Sequence, residues 1–367
     1  MKIVITGGHI APALALIDRL TKKNDTTIVF VGRRYNPDKE RSETLEYKEI
    51  QKRRLPFHHL HAGRLTRFLS FRSFLNFILT PVGFVEAYTL LKKEKPDVVF
   101  SFGGYLALPV AVVAAFLHIP VYTHEQTIRP GIANRLIGKI ARKIFIAFPE
   151  TAAFFPPKKT IVSGNLVRQQ IFQVSKRPFT IPQGRPVLYI TGGSLGSHSL
   201  NRMIENILET LLTKYTVIHQ TGNVKEYGDF RRLTARRRLM KKTEKENYFL
   251  KEHFLDEEIG YVLHAADVVV GRAGANIIFE LIALKKPAVL IPLPWSAHKE
   301  QEKHARLLTN AGVAELCHQA EGAENLLAKI EKVISHLSEY SSHFSNLQDL
   351  YNANASEIIL PEIINNN

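Results

Sequence analysis

The sequence predicts an α/β protein made of two doubly wound parallel-sheet domains, and three observations carry that expectation. Short, β-branched, fully apolar runs alternate with helical stretches, which is how a parallel sheet covered on both faces reads. A Thr-Gly-Gly turn follows such a run twice, at residues 6–8 and 191–193, so a leading strand occurs twice. The length, 367 residues, suits two domains better than one.

Residues 3–5 are a strand that enters Thr6-Gly7-Gly8-His9, and the helix behind it starts near Pro12, whose missing N–H costs nothing in a first turn. Residues 29–31 are a strand leading into Gly32-Arg33-Arg34. Residues 98–102 enter Gly103-Gly104, followed by a helix over about 108–117 and, after Ile119-Pro120, a strand at 121–123. A break falls at 168–186, where SKRPFTIPQGRP concentrates proline, glycine and charge. Beyond it come a strand at 187–190, a turn at 191–196, a helix from about 201 to 212 and a strand at 216–219. These are two Rossmann-like domains, expected at 1–168 and 169–340, with 341–367 a helical segment packing back on the N-terminal domain. Ligands of such sheets bind beyond the carboxyl ends of the strands, so two facing domains would gather the glycine turns around one interdomain cleft. Only Asn365-Asn366-Asn367 reads as a frayed tail.

Hydrophobic residues make up 45% of the chain and charged ones 23%, enough apolar material for two cores. The single cysteine, Cys317, excludes an internal disulfide and a cysteine-based metal cluster, and a reducing cytosol is the simplest setting. Met1-Lys2 runs straight into a strand, leaving no room for a signal peptide, and no apolar run reaches the roughly 18 residues of a membrane span, so a soluble or peripheral protein is expected. The net charge of +15 calls for something anionic. No zinc-finger, aromatic RNP or helix-turn-helix pattern is present, so nucleic acid is not the expected partner. Residues 231–242 (RRLTARRRLMKK) read as a solvated basic helix face. In residues 64–91, Phe68, Phe71, Leu75, Ile78 and Val82 recur at helical spacing beside Arg64, Arg67 and Arg72, which suits either a helix in a membrane interface or a core helix with basic ends.

The densest signal is residues 266–294, ADVVVGRAGANIIFELIALKKPAVLIPLP. Residues 267–270 are a buried parallel strand, 271–274 a glycine turn, and the helix behind it ends at Lys285-Lys286-Pro287. Unpaired amides and the positive dipole end at such a helix start favour phosphate. Glu280, five residues after Ala275, can turn back over the glycine turn and accept hydrogen bonds from a ribose diol. An ordinary βαβ crossover with a solvated glutamate fits the same segment. The first turn lacks G-x-G-x-x-G and no acidic residue ends the second strand, so a dinucleotide reductase has little support, and no Walker lysine accompanies any turn.

Taken together, TGGHIAPALA (6–15), KPDVVFSFGGYLALPV (95–110), IPVYTHEQ (119–126), PGIANR (130–135), AFPET (147–151), GNLVR (164–168), GGSLGSHSLN (192–201), HQTGN (219–223), GRAGANIIFEL (271–281) and IPLP with HKEQEKHA behind it (291–305) carry a resemblance. In order and spacing the chain resembles the MurG family, undecaprenyl-diphospho-muramoylpentapeptide β-N-acetylglucosaminyltransferases of glycosyltransferase family 28. The resemblance implies the GT-B architecture, with the sugar nucleotide held mainly by the C-terminal domain and the lipid acceptor by the N-terminal one. It implies inverting transfer of N-acetylglucosamine from UDP-GlcNAc to the muramoyl C4 hydroxyl of lipid I, giving lipid II for peptidoglycan. By that match Glu280 binds the uridine ribose, while Ala275, Asn276 and Ile277 offer backbone amides to the diphosphate. Leu255 pairs its backbone with uracil, Gln301 holds sugar hydroxyls, and Arg168 and Ser194 line the donor pocket. Thr6, Gly7, Gly8 and His9 form the loop facing the reaction centre. The resemblance also favours the membrane reading of Phe68, Phe71, Leu75 and Ile78, a patch seating the enzyme peripherally on the anionic cytoplasmic face of the cell membrane beside its polyprenyl-linked acceptor.

Inverting transfer needs a base at the acceptor hydroxyl and a sink for charge on the departing UDP. Helix amides and basic residues can serve the second need, and with no DxD-type acidic pair in the chain neither a metal nor another cofactor is expected. His9 is the first candidate base, since imidazole exchanges protons near neutral pH; a phosphate contact or a helix cap is its plainer alternative. Glu125 is the second candidate, and His124, His219 and His298 read as structural or peripheral. The chain departs from the family where substrates bind. ITGGHI is three residues shorter than the usual first loop, Thr127 stands where an asparagine follows HEQ, Leu166 replaces a proline, Ile277 a threonine and His304 an asparagine. At Ile277 the lost side-chain bond is worth about 0.5 to 1.5 kcal/mol. Rival readings are a GT-B transferase with another lipid or small-molecule acceptor, a UDP-GlcNAc epimerase, and a non-catalytic UDP-binding homologue.

Overall fold

The computed structural model describes residues 1–22, 25–35, 43–61, 71–193, 195–222, 224, 226–348 and 355–364, with the backbone alone over 71–80. The chain divides into two units, Met1–Arg168 with Asn352–Asn367, and Gln169–Tyr351.

The first unit contains β1 (Lys2–Thr6), α1 (Ile10–Leu20), β2 (Thr27–Gly32), α2 (Leu45–Lys52), β3 (Phe57–His59), α3 (Phe71–Glu94), β4 (Val98–Ser101), α4 (Ala107–Phe116), β5 (Val121–Glu125), α5 (Ile132–Ile140), β6 (Lys143–Ile146) and β7 (Thr160–Val162). Its seven strands are parallel in the order β3-β2-β1-β4-β5-β6-β7. Period-two alternation makes both faces apolar: Ile3 and Ile5 point into one core with Phe30 and Phe100, Val4 into the other with Val29 and Val99.

The second unit contains β8 (Val187–Thr191), α6 (His198–Lys214), β9 (Thr216–Gln220), α7 (Asp229–Leu239), α8 (Lys242–Glu246), β10 (Tyr248–Lys251), α9 (Asp256–Ala265), β11 (Val268–Gly271), α10 (Ala275–Leu284), β12 (Ala288–Leu290), α11 (Glu300–Asn310), β13 (Ala314–Leu316), α12 (Gly322–Ser335) and α13 (Leu337–Ser342). Its parallel order, β10-β9-β8-β11-β12-β13, repeats that of the first sheet without its last strand. One apolar layer is supplied by α6 and α12, through Leu200, Ile204, Leu208, Leu326, Ile330 and Val333. The last helix, α14 (Ala355–Ile364), belongs to the first unit, where Ala355, Ile359 and Ile363 enter the core shared with α1.

Two aspartates mark the repeat. Asp97, just before β4, accepts the Lys2 amide at 2.7 Å, and Asp267, just before β11, accepts the Val187 amide at the same distance. Each clamps the leading strand of its sheet to the strand where the order reverses. Helix α6 begins three residues before the expected Asn201, because the Ser197 hydroxyl accepts the Leu200 amide and takes the N-cap. Helix α10 stops at Leu284, where Lys285 turns left-handed (φ 50°) ahead of Pro287.

Candidate active site

In each sheet the order reverses between two central strands, β1/β4 and β8/β11; of the candidate residues, Thr6 to His9 lie at the end of β1, Ala275 to Ile277 follow the turn after β11, and Glu125 ends β5. In the first unit, Gly7 and Gly8 leave β1 and run against the turn that follows β4. A β-carbon on Gly8 would fall on the Gly103 carbonyl oxygen, and one on Gly103 (φ 76°), a backbone conformation that favours glycine, would meet the Asn134 amide. Thr6 is buried at the end of β1.

His9 closes this loop at the N-cap of α1, but no side-chain bond caps the helix. Its Nδ1–H donates instead to the Phe102 carbonyl at 3.3 Å, and that tautomer leaves the lone pair on Nε2, to which the described residues contribute no hydrogen bond. Glu125 is buried at the end of β5 and heavily engaged: Oε1 accepts the Thr127 amide (2.9 Å) and hydroxyl (2.8 Å), and Oε2 accepts Asn134 Nδ2 (2.8 Å). It shapes the Thr127 turn, and Thr127 itself is buried. Beside this layer, Glu46 accepts the Arg33 amide at 2.5 Å, and Arg33 Nη1 reaches Tyr105 Oη at 3.2 Å. Burial raises the Glu46 pKa against the opposing pull of Arg33. The Gly32-Arg33-Arg34 corner is thus occupied by internal partners, with Arg34 paired to Glu43 at 3.2 Å. Arg168, half-buried, ends the first unit.

In the second unit the turn after β8 packs against the turn after β9, since a β-carbon on Gly196 (φ 82°) would fall on the Thr221 carbonyl oxygen. Gln220 holds the turn further: its Nε2 donates to Thr191 Oγ1 and to the Gly193 carbonyl, both at 3.2 Å. Ser194 lies outside the described residues. After β11, Arg272 is buried and Gly274, which has no side chain to cap with, occupies the N-cap of α10, so Ala275, Asn276 and Ile277 form its first turn. Glu280 follows on the same helix and is buried. His304, in the asparagine position, is buried on α11 and donates from Nδ1 to the Ala273 carbonyl at 3.0 Å, pinning the turn; burial lowers its pKa to about 4.

Gln301 Oε1 accepts the Leu293 amide at 3.0 Å, which orients the side-chain amide and leaves its NH₂ group for a ligand; the described residues contribute no bond to it. The segment leading to it is strained, with His298 (φ 53°) and Lys299 (φ 55°) both left-handed. Leu255 departs from expectation. Its N–H donates to Glu258 Oε2 (3.1 Å) and its carbonyl accepts from Glu258 (2.9 Å) and Ile259 (3.0 Å), so the cap of α9 already engages the backbone assigned to uracil.

Of the remaining histidines, His124 donates to the Gly164 carbonyl at 3.1 Å and His219 lies between Tyr248 Oη and Asn201 Oδ1 at 3.0 and 3.1 Å; burial lowers their pKa values to about 4 and about 3. The basic run at 231–242 is no simple solvated face. Arg232 pairs with Asp229 at 2.6 Å and Glu205 at 3.1 Å, Arg236 donates to the Glu205 carbonyl at 2.6 Å and Arg237 to the Tyr248 carbonyl at 2.8 Å, tying α7 to α6 and β10. Phe68 lies outside the described residues; Phe71, Leu75 and Ile78 fall on α3, with their side chains outside the description. No helix among the described residues is long and apolar enough to cross a membrane.

Residues overlooked in the sequence are Asn134, Gln220, Arg272 and the hydroxyl of Ser197. Arg272 alone carried a signal, as a lone charge wedged between an apolar strand and a glycine turn.

Comparison with known proteins fits this geometry. The chain matches the Glycosyltransferase family 28 N-terminal domain over residues 4–146 and the Glycosyltransferase family 28 C-terminal domain over residues 187–355. It is 33% identical over 344 residues to the UDP-N-acetylglucosamine--N-acetylmuramyl-(pentapeptide) pyrophosphoryl-undecaprenol N-acetylglucosamine transferase of Clostridium kluyveri, covering 90% of this chain and 91% of that one. Among solved structures, MurG of Acinetobacter baumannii aligns with a TM-score of 0.69 at 22% identity over 99% of both chains. The UDP-GlcNAc 2-epimerase of Neisseria meningitidis, bound to UDP-GlcNAc, aligns at 0.64 with 18% identity over 100% of both. Two parallel-sheet α/β domains of the GT-B type, matched along their length by these models and relatives, place the chain in the MurG family of glycosyltransferase family 28.

Proposed function

We propose that the protein is an inverting glycosyltransferase that moves N-acetylglucosamine from UDP-GlcNAc to the muramoyl C4 hydroxyl of a polyprenyl-diphosphate-linked muramoylpentapeptide. The observation that carries this reading is the kinship over nine-tenths of the chain with a transferase of that name. In the reaction the acceptor oxygen forms a bond to the anomeric carbon from the face opposite the diphosphate. The anomeric C–O bond breaks with its electron pair leaving on UDP, and the hydroxyl proton goes to the base. His9 suits that role through the Nε2 lone pair that its bond to Phe102 exposes, whereas Glu125 spends three acceptor bonds on its own loop. Thr6, Gly7, Gly8 and Thr127 shape the acceptor side.

On the donor side, the first-turn amides of α10, from Ala275, Asn276 and Ile277, receive the diphosphate, where negative charge grows as UDP departs. Glu280 binds the ribose diol and Gln301 the sugar hydroxyls. Leu255 meets uracil through its half-exposed side chain, since its backbone is engaged by Glu258 and Ile259.

The first unit also carries a surface for a lipid leaflet. Val85 and Tyr88 on α3, Phe116 on α4, and Ile132, Leu136 and Ile140 on α5 are exposed, and α4 packs against both other helices. Arg135 and Lys139 are exposed on the same helix as the last three, which suits an anionic cytoplasmic surface and a peripheral enzyme.

Release of UDP from UDP-GlcNAc, measured with and without the lipid-linked acceptor and with UDP-GalNAc as competing donor, tests the reading. Acceptor-dependent release favouring UDP-GlcNAc is expected. Conversion of UDP-GlcNAc to a free epimerised sugar without acceptor would overturn it, a separation that the shared fold cannot make.

A further inference from the structure

Arg272 is a buried cation with neutral company. Its residue is 6% exposed, and each of its N–H groups faces an uncharged acceptor. Nε and Nη2 donate to Ser197 Oγ at 3.1 and 2.7 Å, Nη2 also reaches Ser199 Oγ at 2.7 Å and Gln319 Oε1 at 3.0 Å, and Nη1 donates to the carbonyls of Ile291 (3.0 Å) and Pro292 (3.2 Å). No carboxylate of the described residues forms an ion pair with it, and burial alone shifts its pKa. Burial lowers its pKa to about 10, so it keeps its charge at neutral pH. An unpaired buried charge is costly, and a ligand of opposite charge would offset that cost.

The bonds to Ser197 have a directional consequence. Its oxygen already accepts from Arg272 and, as N-cap of α6, from the Leu200 amide at 3.4 Å. Ser199, 3.4 Å from Ser197, donates its own hydrogen to Gln319 at 2.8 Å. With its lone pairs taken, half-buried Ser197 is a hydrogen-bond donor polarised by a cation, beside the glycine turn of β8; its hydrogen faces Ser199 across 3.4 Å, a long contact that a phosphate oxygen would replace.

We propose that Arg272 is the buried counter-charge of the nucleotide diphosphate, a positioning residue that holds Ser197 as hydroxyl donor to a phosphate oxygen and stabilises the charge that UDP acquires on leaving. This rests on the reading that the second unit binds a uridine-diphosphate sugar, and it adds two residues to that site.

The test is calorimetric titration of uridine, UMP and UDP into the full-length wild type and the variants R272M, R272K and S197A, with each Tm recorded. Uridine affinity should stay within about two-fold in every variant. UDP affinity should fall at least about ten-fold in R272M and S197A, and R272K should recover part of it. In turnover, R272M should lower kcat more than it raises KM. Parallel weakening of uridine and UDP would make Arg272 a mere clamp and overturn the proposal. Should R272M fail to fold, S197A, which leaves the other acceptors of Arg272 in place, decides the matter by the same ratio. A wild type that binds no uridine nucleotide would instead remove the reading beneath the proposal.

Discussion

The side chains of Asn134 and Glu125 are locked together in the first unit: Asn134 Nδ2 donates to Glu125 Oε2 across 2.8 Å, while the other carboxylate oxygen holds Thr127. A carboxylate so engaged organises a loop. E125Q, which keeps an acceptor for Thr127, should retain kcat within about ten-fold, whereas H9A should lose about 10²- to 10⁴-fold as expected for a missing general base. E125A should lower Tm by a few degrees, since three donor groups, the Thr127 amide and hydroxyl and Asn134 Nδ2, lose this acceptor at about 1 to 3 kcal/mol. Steady-state turnover with a soluble acceptor analogue measures the first pair, calorimetry the third. Equal losses of kcat in E125Q and H9A would move the base to Glu125.

The contact between Gly8 and Gly103 yields a second expectation. A β-carbon at position 8 would overlap the Gly103 carbonyl, so G8A must push the two loops apart. A cost of about 1 to 3 kcal/mol and a loss of turnover of at least ten-fold should follow, with UDP affinity untouched because the proposed nucleotide site lies in the other unit. An unchanged kcat in a folded G8A protein would show that the loop spacing is irrelevant to catalysis.

Much of the fold was legible because it rests on local patterns. The apolar runs of β1, β4, β8 and β11 can only be strands buried on both faces, and the Asp-Val-Val triplets at 97–99 and 267–269 mark the two reversal points through Asp97 and Asp267. The roles of single polar groups were not legible, because they depend on partners that only the folded chain brings together. Asn134 meets Glu125 only after α5 folds back on β5, and Arg272 meets Ser197 across 75 positions. The start of α6 could have been placed correctly, since a serine three residues before Leu200 is an ordinary cap.

Three neutral histidines make the fold sensitive to acid. His124 and His304 protonate only near pH 4 in the native state and His219 near pH 3, against 6.5 in the unfolded chain, with burial as the main cause. Between those limits the unfolded chain binds protons that the native state refuses, so stability is full above pH 6.5 and declines as pH falls toward 4. H304N, whose amide can still donate to Ala273, should flatten the decline by at most about 2 to 3 kcal/mol at pH 4.5. Tm recorded from pH 7.5 to 4.5 for both proteins checks this. Parallel curves would show that His304 does not contribute.

Glu280 should report on the ribose. Loss of two hydroxyl bonds to a carboxylate predicts that E280A weakens UDP about ten- to a hundred-fold. The same substitution should cost 2′-deoxy-UDP less, because one partner is already missing. Equal losses for the two nucleotides would separate Glu280 from the diol.

The exposed apolar residues of α3, α4 and α5 make the last case. Val85, Phe116 and Ile132 are 65%, 74% and 60% exposed, on helices of which α4 packs against both others. Each buries its side chain in the acyl boundary if these helices lie on a leaflet, and the arginine and lysine of α5 then face anionic headgroups. Replacing Val85, Phe116 and Ile132 with serine should lower sedimentation with vesicles containing anionic lipid by at least about ten-fold. High salt should weaken the wild type only in part, since the apolar contribution is not screened. Turnover of a soluble acceptor analogue should remain, because none of the three belongs to the loops around His9 or Glu280. Vesicle binding that survives the triple substitution would place the membrane contact elsewhere, with the stretch that carries Phe68, Phe71, Leu75 and Ile78 the next to be substituted.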